Sequence, residues 1–350
     1  MTVLIDGIVF SLQRQGGISV YFHQLLDYLA QSYIAATLTL ETPTRQAVTG
    51  SSGSVLYLRR EGRRFERYRP CRLKVGTTVF HSSYYRRPFD RGTPTVVTVH
   101  DFIYERYSKG PRRWVHVAQK HAAIRAAQAV ICISESTRQD LLHWVGETPG
   151  QQVLVIHNGV ADTFRPLQLE PAARPYVLYV GERAGYKNFR LVLDAMTWLP
   201  ELELHCVGGG ALRPDELAHV TPDLRARVQH LGFVSENVLN EHYNRAVCLA
   251  YPSRYEGFGI PVVEAMRAGC PVVCIACKAV LEVGGNALTV AAEASGHAIA
   301  EAISRTALSG NRHAIVQAGL AVARAYSWQS THQQTVRVYC GLGAHTTVSQ

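Results

Sequence analysis

Short apolar runs that end in polar residues or glycine, each followed by a helix-forming stretch, recur along almost the whole chain. "TVLIDGI", "TTVFHSS", "TPTVVTVHD", "AVICIS" and "QVLVIHNG" are such runs, and "ISVYFHQLLDYLAQ", "RWVHVAQKHAAIRAAQ" and "ESTRQDLLHWV" separate them. Apolar β-branched runs suit strands covered on both faces, and strand–helix–strand order calls for a parallel sheet. The alternation restarts at "RPYVLYVGE", after the proline-containing joint "FRPLQLEPAARP" at residues 164–175, and continues through "ELELHCVGGG", "QHLGFVS", "CLAYPS" and "PVVCIAC". A chain of 350 residues is long enough for two domains. The expected fold is therefore α/β, with two doubly wound, Rossmann-like domains at residues 1–165 and 166–325 and a last helix within 326–350. Ligands of such sheets bind at the carboxyl ends of strands, and two sheets facing each other make an interdomain cleft.

The chain is 47% hydrophobic and 18% charged, which fits packed cores and argues against disorder. No window approaches 18 uninterrupted apolar residues, so no membrane span is expected. The first residues, Met1 to Asp6, read as a strand and not as a signal peptide. The net charge of +9 is unevenly placed. Residues 1–165 hold 21 Lys and Arg against 12 Asp and Glu, whereas residues 166–350 hold 15 of each. The densest stretch is "RREGRRFERYRPCRLK", Arg59 to Lys74. Within it Arg60, Arg63, Arg64 and Arg67 keep i, i+3, i+4, i+7 spacing, so a helix there would carry a basic stripe. Such a stripe suits an anionic partner, a phospholipid surface or a diphosphate-bearing acceptor, and otherwise is a solvated face.

The eight cysteines lie mostly in apolar runs, the usage of buried thiols in a reducing compartment. Cys270, Cys274 and Cys277 have a C-x3-C-x2-C spacing that can hold an iron–sulfur cluster. A buried parallel strand in "GCPVVCIACK" explains the same residues, and no metal site is expected.

Three stretches carry candidate chemistry. In "LQRQGGISVYF", Gly16 and Gly17 open a helix whose backbone N–H groups could meet an anion. In "VGERAGYKNF", Arg183 and Lys187 follow the first strand of the second domain, and two cations there could clamp a diphosphate. In "YPSRYEGFGIPVVEAM", Glu256 precedes a Gly257-Phe258-Gly259 turn and Glu264 falls one turn into the following helix, after Pro261. Glu264 could accept from the adjacent hydroxyls of a ribose, and Glu256 from those of a second sugar. The plain alternatives are a carboxylate at a positive helix end for Glu256 and an exposed helix residue for Glu264.

With these stretches and "VTVHD", "ICISESTRQDLL", "VIHNGV" and "LGFVS", most of the chain resembles the retaining, nucleotide-sugar-dependent GT4 glycosyltransferases of GT-B architecture. "EGFGIPVVE" matches the family's E-x7-E signature, and "TVHDFIYERY" and "GYKNF" look most like bacterial O-antigen and surface-polysaccharide mannosyl- or rhamnosyltransferases. The resemblance implies catalytic roles for Arg183, Lys187, Glu256, His100 and Asp101. It implies donor binding by Gly17, Gly181, Val234, Ser253, Gly257, Phe258, Gly259, Ile260 and Glu264. The terminal helix around Trp328 would cross back onto the first domain. The segment "CIACKAVLEVGGNAL" is a looser version of the family's stretch, though Glu282 still fits.

The implied reaction moves a hexose from a GDP-, UDP- or dTDP-linked donor to a free or polyprenyl-diphosphate-linked glycan, with retention of configuration. No D-x-D triplet occurs in the chain, so the two cations are expected to act without a metal or other cofactor. Arg60, Arg63, Arg64 and Arg67 would dock the enzyme on the acceptor or on the inner face of the plasma membrane, as a peripheral cytoplasmic protein. No nucleic-acid partner is expected. The alternative class is a non-catalytic sugar-nucleotide- or polysaccharide-binding module that kept the fold. A phosphorylase or epimerase of the same architecture is a further one.

Overall fold

A computed structural model describes residues 1–13, 16–42, 54–183, 185–218, 220–308 and 311–346. The chain divides into two compact units, Met1–Gly159 with Trp328–Gln350, and Val160–Ser327.

The first unit is built on seven parallel strands: β1 Val3–Asp6, β2 Ala36–Thr42, β3 Val55–Glu61, β4 Val79–Ser82, β5 Thr95–Val99, β6 Ala129–Cys132 and β7 Gln152–Val155. Their order is β3-β2-β1-β4-β5-β6-β7, which reverses between β1 and β4. The central strands β1, β4, β5 and β6 are buried at every residue, as their unalternating apolar sequences require. β2 and β3 lie outside the set of runs that the sequence marks. β3 is an edge strand with an irregular burial pattern, so "VLYLRRE" shows no clear strand periodicity.

β3 also overturns the basic helix expected over residues 60–67. Arg60 stands on β3 and its NH1 donates to the carbonyl of Arg72 at 2.9 Å. Arg63 and Arg64 follow in a loop, and Arg67 sits in the short 3-10 turn Glu66–Tyr68. Pairing of β3 with β2 over seven residues outweighs the helical spacing. Arg67 is turned inward: NH2 lies 3.2 Å from His116 Nδ1 and the guanidinium stacks over Tyr68 and Tyr84.

The terminal helix Trp328–Thr346 belongs to the first unit's core, where Tyr339 is fully buried beside Val338 and Leu342. Burying apolar side chains of this size contributes about 1.5–3 kcal/mol each. Its polar residues bond there too: Tyr339 Oη lies 2.5 Å from His81 Nδ1, and Thr335 Oγ1 lies 3.3 Å from Tyr21 Oη.

The second unit has six parallel strands: β8 Tyr176–Val180, β9 Glu203–Val207, β10 Val228–Gly232, β11 Cys248–Tyr251, β12 Val272–Cys274 and β13 Leu288–Val290, in the order β10-β9-β8-β11-β12-β13. Order reverses between β8 and β11, the position at which doubly wound sheets open a crevice. The unit begins at Val160 because Val160 N–H donates to the Tyr326 carbonyl and the Arg165 N–H to Asn240. The cysteines of the C-x3-C-x2-C spacing are all buried. Only Cys274 is in a strand; Cys277 precedes the helix Lys278–Gly284. Burial pushes the Cys270 and Cys274 thiols up to about 12, the neutral state of packed core residues.

Candidate active site

At the switch point of the second unit, the loops after β8 and β11 lie side by side. After β8 the chain turns through Gly181, at φ +122°, to Arg183 and the 3-10 turn Gly185–Lys187. Asn188 follows in the left-handed region, at φ 51°, a conformation asparagine tolerates better than most residues. Instead of capping the helix Phe189–Met196, its amide donates to the carbonyl of Pro252 at 2.8 Å, and the N–H of Arg254 donates to the Tyr186 carbonyl. The two loops are thereby sewn together, and Asn188 is a site residue that sequence reasoning missed.

This stitching sets Lys187 against Glu256: Nζ and Oε1 are 2.8 Å apart, with both side chains largely buried. The Tyr251 hydroxyl also bonds Glu256, and the ammonium of Lys187 lies 5.7 Å from the centre of the Tyr251 ring. The cation and the first carboxylate of the signature thus share one small volume.

Ser253 and the turn Gly257-Phe258-Gly259 are buried, with Phe258 edge-on to Tyr326 at 5.6 Å. Gly259, at φ +100°, begins the helix Ile260–Arg267 with no side-chain cap, and Pro261 sits in its first turn. First-turn N–H groups of such a helix are open to an anion. Glu264 lies on this helix, half-buried, and accepts from the hydroxyl of the fully buried Tyr243 at 3.0 Å. Burial pushes Glu264 up to about 7, although that hydrogen bond favours the carboxylate. The bland reading of Glu264 as a solvated helix glutamate is therefore excluded. Tyr243, in "EHYNRAV", carries no mark in the sequence beyond its helical position. Val234 is half-buried in the loop after β10.

Arg183 follows β8, as the sequence suggests, but its guanidinium is turned onto the protein. Its guanidinium is buried and spent on the protein. Nε donates to Glu216 Oε1 at 2.9 Å and NH1 to the Gly208 carbonyl at 3.1 Å. NH2 is within 3.0 Å of the carbonyls of Gly209, Gly210 and Ala211. Gly208, Gly209 and Gly210 all have φ between +71° and +80°, so only glycine turns this loop without strain. Arg183 fixes the glycine loop after β9, and Lys187 is the cation of the pair that faces Glu256. The sequence shows "VGGG" and Arg183 as separate features 25 residues apart, which hides their bond.

In the first unit, Gly17 is exposed at the start of the helix Gly17–Gln31, which also lacks a side-chain cap. His100 and Asp101 follow β5. His100 is buried with Nε2 unpartnered among the described residues, and burial lowers it to about 3, so the ring is neutral at working pH. Asp101 Oδ1 accepts from Ile103 N–H at 3.0 Å, and its carbonyl accepts from Lys120 Nζ. Lys120, itself buried, pairs with Glu105 at 3.1 Å, a buried pair that the sequence gives no sign of. Among the described residues no group of three His, Cys, Asp or Glu has the arrangement of a metal site.

Two family models match the chain. One, described as "Glycosyltransferase Family 4", spans residues 15–164, and the other, "Glycosyl transferases group 1", spans 174–308. The O-antigen chain mannosyltransferase B of Escherichia coli is 27% identical over 282 residues, 75% of this chain and 74% of that one. Among solved structures, a sucrose-phosphate synthase from Thermosynechococcus elongatus superposes with a TM-score of 0.82 at 21% identity, over 99% of this chain and 100% of its own. Anabaena HepE, solved in complex with UDP-glucose, gives 0.70 at 16% identity over the full length of both chains. At these identities the structural likeness carries the fold alone.

Proposed function

The chain belongs to the GT4 glycosyltransferases of GT-B fold, and from that we propose that it moves a hexose, of mannose or rhamnose type, from a nucleoside-diphosphate sugar to a glycan or lipid-linked acceptor, with retention of configuration, in the synthesis of a bacterial surface polysaccharide. The observation that carries this reading is the Lys187–Glu256 pair beside the uncapped helix that bears Glu264. A nucleotide sugar presents hydroxyls at both ends and two phosphates between them. Glu264 accepts from the ribose, the helix start and Lys187 face the diphosphate, and Glu256 accepts from the sugar.

In the reaction, the bond from the anomeric carbon to the diphosphate oxygen breaks and the leaving group keeps the electron pair. The acceptor oxygen bonds to the same face of that carbon, and its proton passes to the departing phosphate. Fixed positive charge aimed at the leaving oxygens lowers this barrier without reorganisation at the moment of reaction, and Lys187 with the helix N-terminus supplies it without a metal. His100 stays a neutral hydrogen-bonding group, with Asp101 beside it, and Gly17 offers an N–H. Arg183 acts at one remove, by holding the glycine loop.

No described helix is long and apolar enough to cross a membrane. We place the enzyme peripherally, at the inner face of the plasma membrane. Exposed Phe65 and Trp114 stand next to Arg64 and Arg113, whose guanidinium groups lie about 5 Å from their rings, an arrangement suited to an anionic interface.

The test is a thermal-shift screen of nucleoside diphosphates followed by the matching sugars, then NMR of the product's anomeric centre, with and without EDTA. Stabilisation by one nucleoside diphosphate and a product with the donor's own anomeric configuration are expected. Binding without donor consumption in the presence of any acceptor would indicate the non-catalytic module instead.

A further inference from the structure

The first unit holds a cavity of about 780 Å3, lined largely by charged residues, at the carboxyl ends of β2 and β3, away from His100 and Asp101 in the strand order. Its floor is Arg86, which is 2% exposed. NH1 donates to Asp6 Oδ1 at 3.0 Å and to Glu41 Oε1 at 2.6 Å, NH2 to Glu66 Oε1 at 2.9 Å, and Nε to the Arg69 carbonyl at 3.1 Å. Arg86 is therefore committed to holding three carboxylates and the chain at Arg69. The mouth is formed by Arg60, Arg63, Arg69 and Arg72. With Arg86, five arginines line the cavity against Glu41, Glu61 and Glu66, and with the Asp6 that Arg86 also holds the surplus is one positive charge. Arg63, Arg69 and Arg72 have no ion pair among the described residues.

Glu41 supplies a second, independent observation. It is 4% exposed, lines the cavity, and its Oε2 has no partner among the described residues. A dry, unpaired carboxylate oxygen costs free energy that a ligand hydroxyl would remove. Guanidinium forks around the mouth match the oxygens of a phosphate. One ligand satisfies both: a phosphate or diphosphate next to a hydroxyl-bearing ring.

We propose that this cavity is a subsite for the phosphate or diphosphate of a phosphorylated glycan, with Arg63, Arg69 and Arg72 on the phosphate and Glu41 on a hydroxyl. Calling that glycan the acceptor rests on the transferase reading above; the anion site does not. Its position at strand carboxyl ends is where doubly wound sheets hold ligands.

Isothermal titration of the full chain with inorganic diphosphate tests it. The wild type takes up two diphosphates, one at Lys187 and one in this cavity. R69Q/R72Q weakens the second at least about tenfold and leaves the first, whereas K187Q does the reverse. Arg69 and Arg72 are exposed, and an unchanged melting curve for R69Q/R72Q controls for folding. Farnesyl diphosphate and phosphatidylglycerol vesicles separate the sources of the group. Loss of farnesyl diphosphate binding with vesicle sedimentation unchanged assigns the site to a diphosphate borne by the acceptor. Loss of both assigns it to phosphate at the lipid surface and overturns the glycan assignment. An isotherm unaltered in R69Q/R72Q overturns the proposal while leaving the transferase reading in place. Vesicle sedimentation lost without any diphosphate site also overturns it, because the arginines then act only as a diffuse field.

Discussion

Lys187 and Glu256, 69 residues apart in sequence, are joined at 2.8 Å across the switch point of the second sheet. Paired in this way, each neutralises the other. Under the proposed function, a donor would trade this pair for two new ones, its diphosphate taking the ammonium and its sugar hydroxyls the carboxylate. Neither charge is stranded at any stage, which matters because an unpaired charge at this depth is costly.

The exchange separates the effects of the two residues. K187Q should weaken nucleoside-diphosphate binding by about 1.5–3 kcal/mol, the worth of a hydrogen bond to a charged group. E256Q should bind the nucleoside diphosphate at least as well as the wild type, since Lys187 is released, but should lose turnover with the full sugar donor. Calorimetry on the two ligands, with kcat for each variant, checks this. Equal losses of nucleoside-diphosphate affinity in both variants would contradict it.

Glu264 predicts a proton-linked step. Burial raises it from 4.5 to about 7, so near neutral pH a large share carries a proton. Ribose hydroxyls donate to the carboxylate form, so binding expels that proton and affinity rises between about pH 6 and pH 8. Without ligand the sign is opposite. The folded chain holds this proton more tightly than the unfolded one, so Glu264's contribution to stability falls as pH rises from about 4.5 to about 7. Titrations in two buffers of different ionisation enthalpy should report proton release in the wild type and none in E264Q.

Arg183 should prove structural before it proves kinetic. R183A leaves Glu216 with Arg213 as its remaining cation and takes the side-chain donor from the carbonyls of Gly209, Gly210 and Ala211, a loss of about 1–3 kcal/mol in the second unit. G209A attacks the same joint from the other side. A Cβ there would lie 2.7 Å from Arg183 NH1, at a φ of +71° that disfavours alanine. Both variants should lower the melting temperature and raise KM for the donor. Full activity at a normal melting temperature in R183A would refute the buttress.

The first unit should be acid-sensitive. Burial lowers His81, His100 and His332 to about 3 each, and His116 to about 4. Below their ordinary value of 6.5 the unfolded chain takes up protons that the folded chain refuses, so stability drops as pH falls from about 6.5 towards 4. Asp6, raised by burial to about 7, and Asp27, also raised by burial, work in the opposite direction, but Glu105, held low by His121 and Lys120 against its burial, acts with the four histidines. His332 stacks on Trp328 at 5.4 Å with neither ring nitrogen partnered among the described residues. H332F should therefore keep the packing and flatten the pH dependence of the urea midpoint.

Much of this was legible in the sequence because periodicity and signature residues speak locally. The buried strands β1, β4, β5 and β6 announce themselves by unbroken apolar runs, and "EGFGIPVVE" announces its turn and helix. Edge strand β3 does not, since three of its seven residues face water and its arginines mimic a helical stripe. The cations near "GYKNF" were visible, but not their division of labour. That depends on where Gly208–Ala211 and Glu256 arrive in space, which no local pattern encodes. The same holds for Glu264, whose raised proton affinity comes from burial and prevails over the hydrogen bond from Tyr243, 21 residues earlier.

The terminal helix gives the two units different histories. Val160–Ser327 is one unbroken segment, whereas the first unit needs Tyr339, Val338 and Leu342 to close its core. As the chain leaves the ribosome, the unit that starts second holds all of its residues first. The unit that starts first waits, with a hydrophobic face unfilled, until the last stretch emerges. A ribosome stalled or a message truncated near residue 327 would thus release a chain whose later half is whole and whose earlier half is exposed to chaperones and proteases.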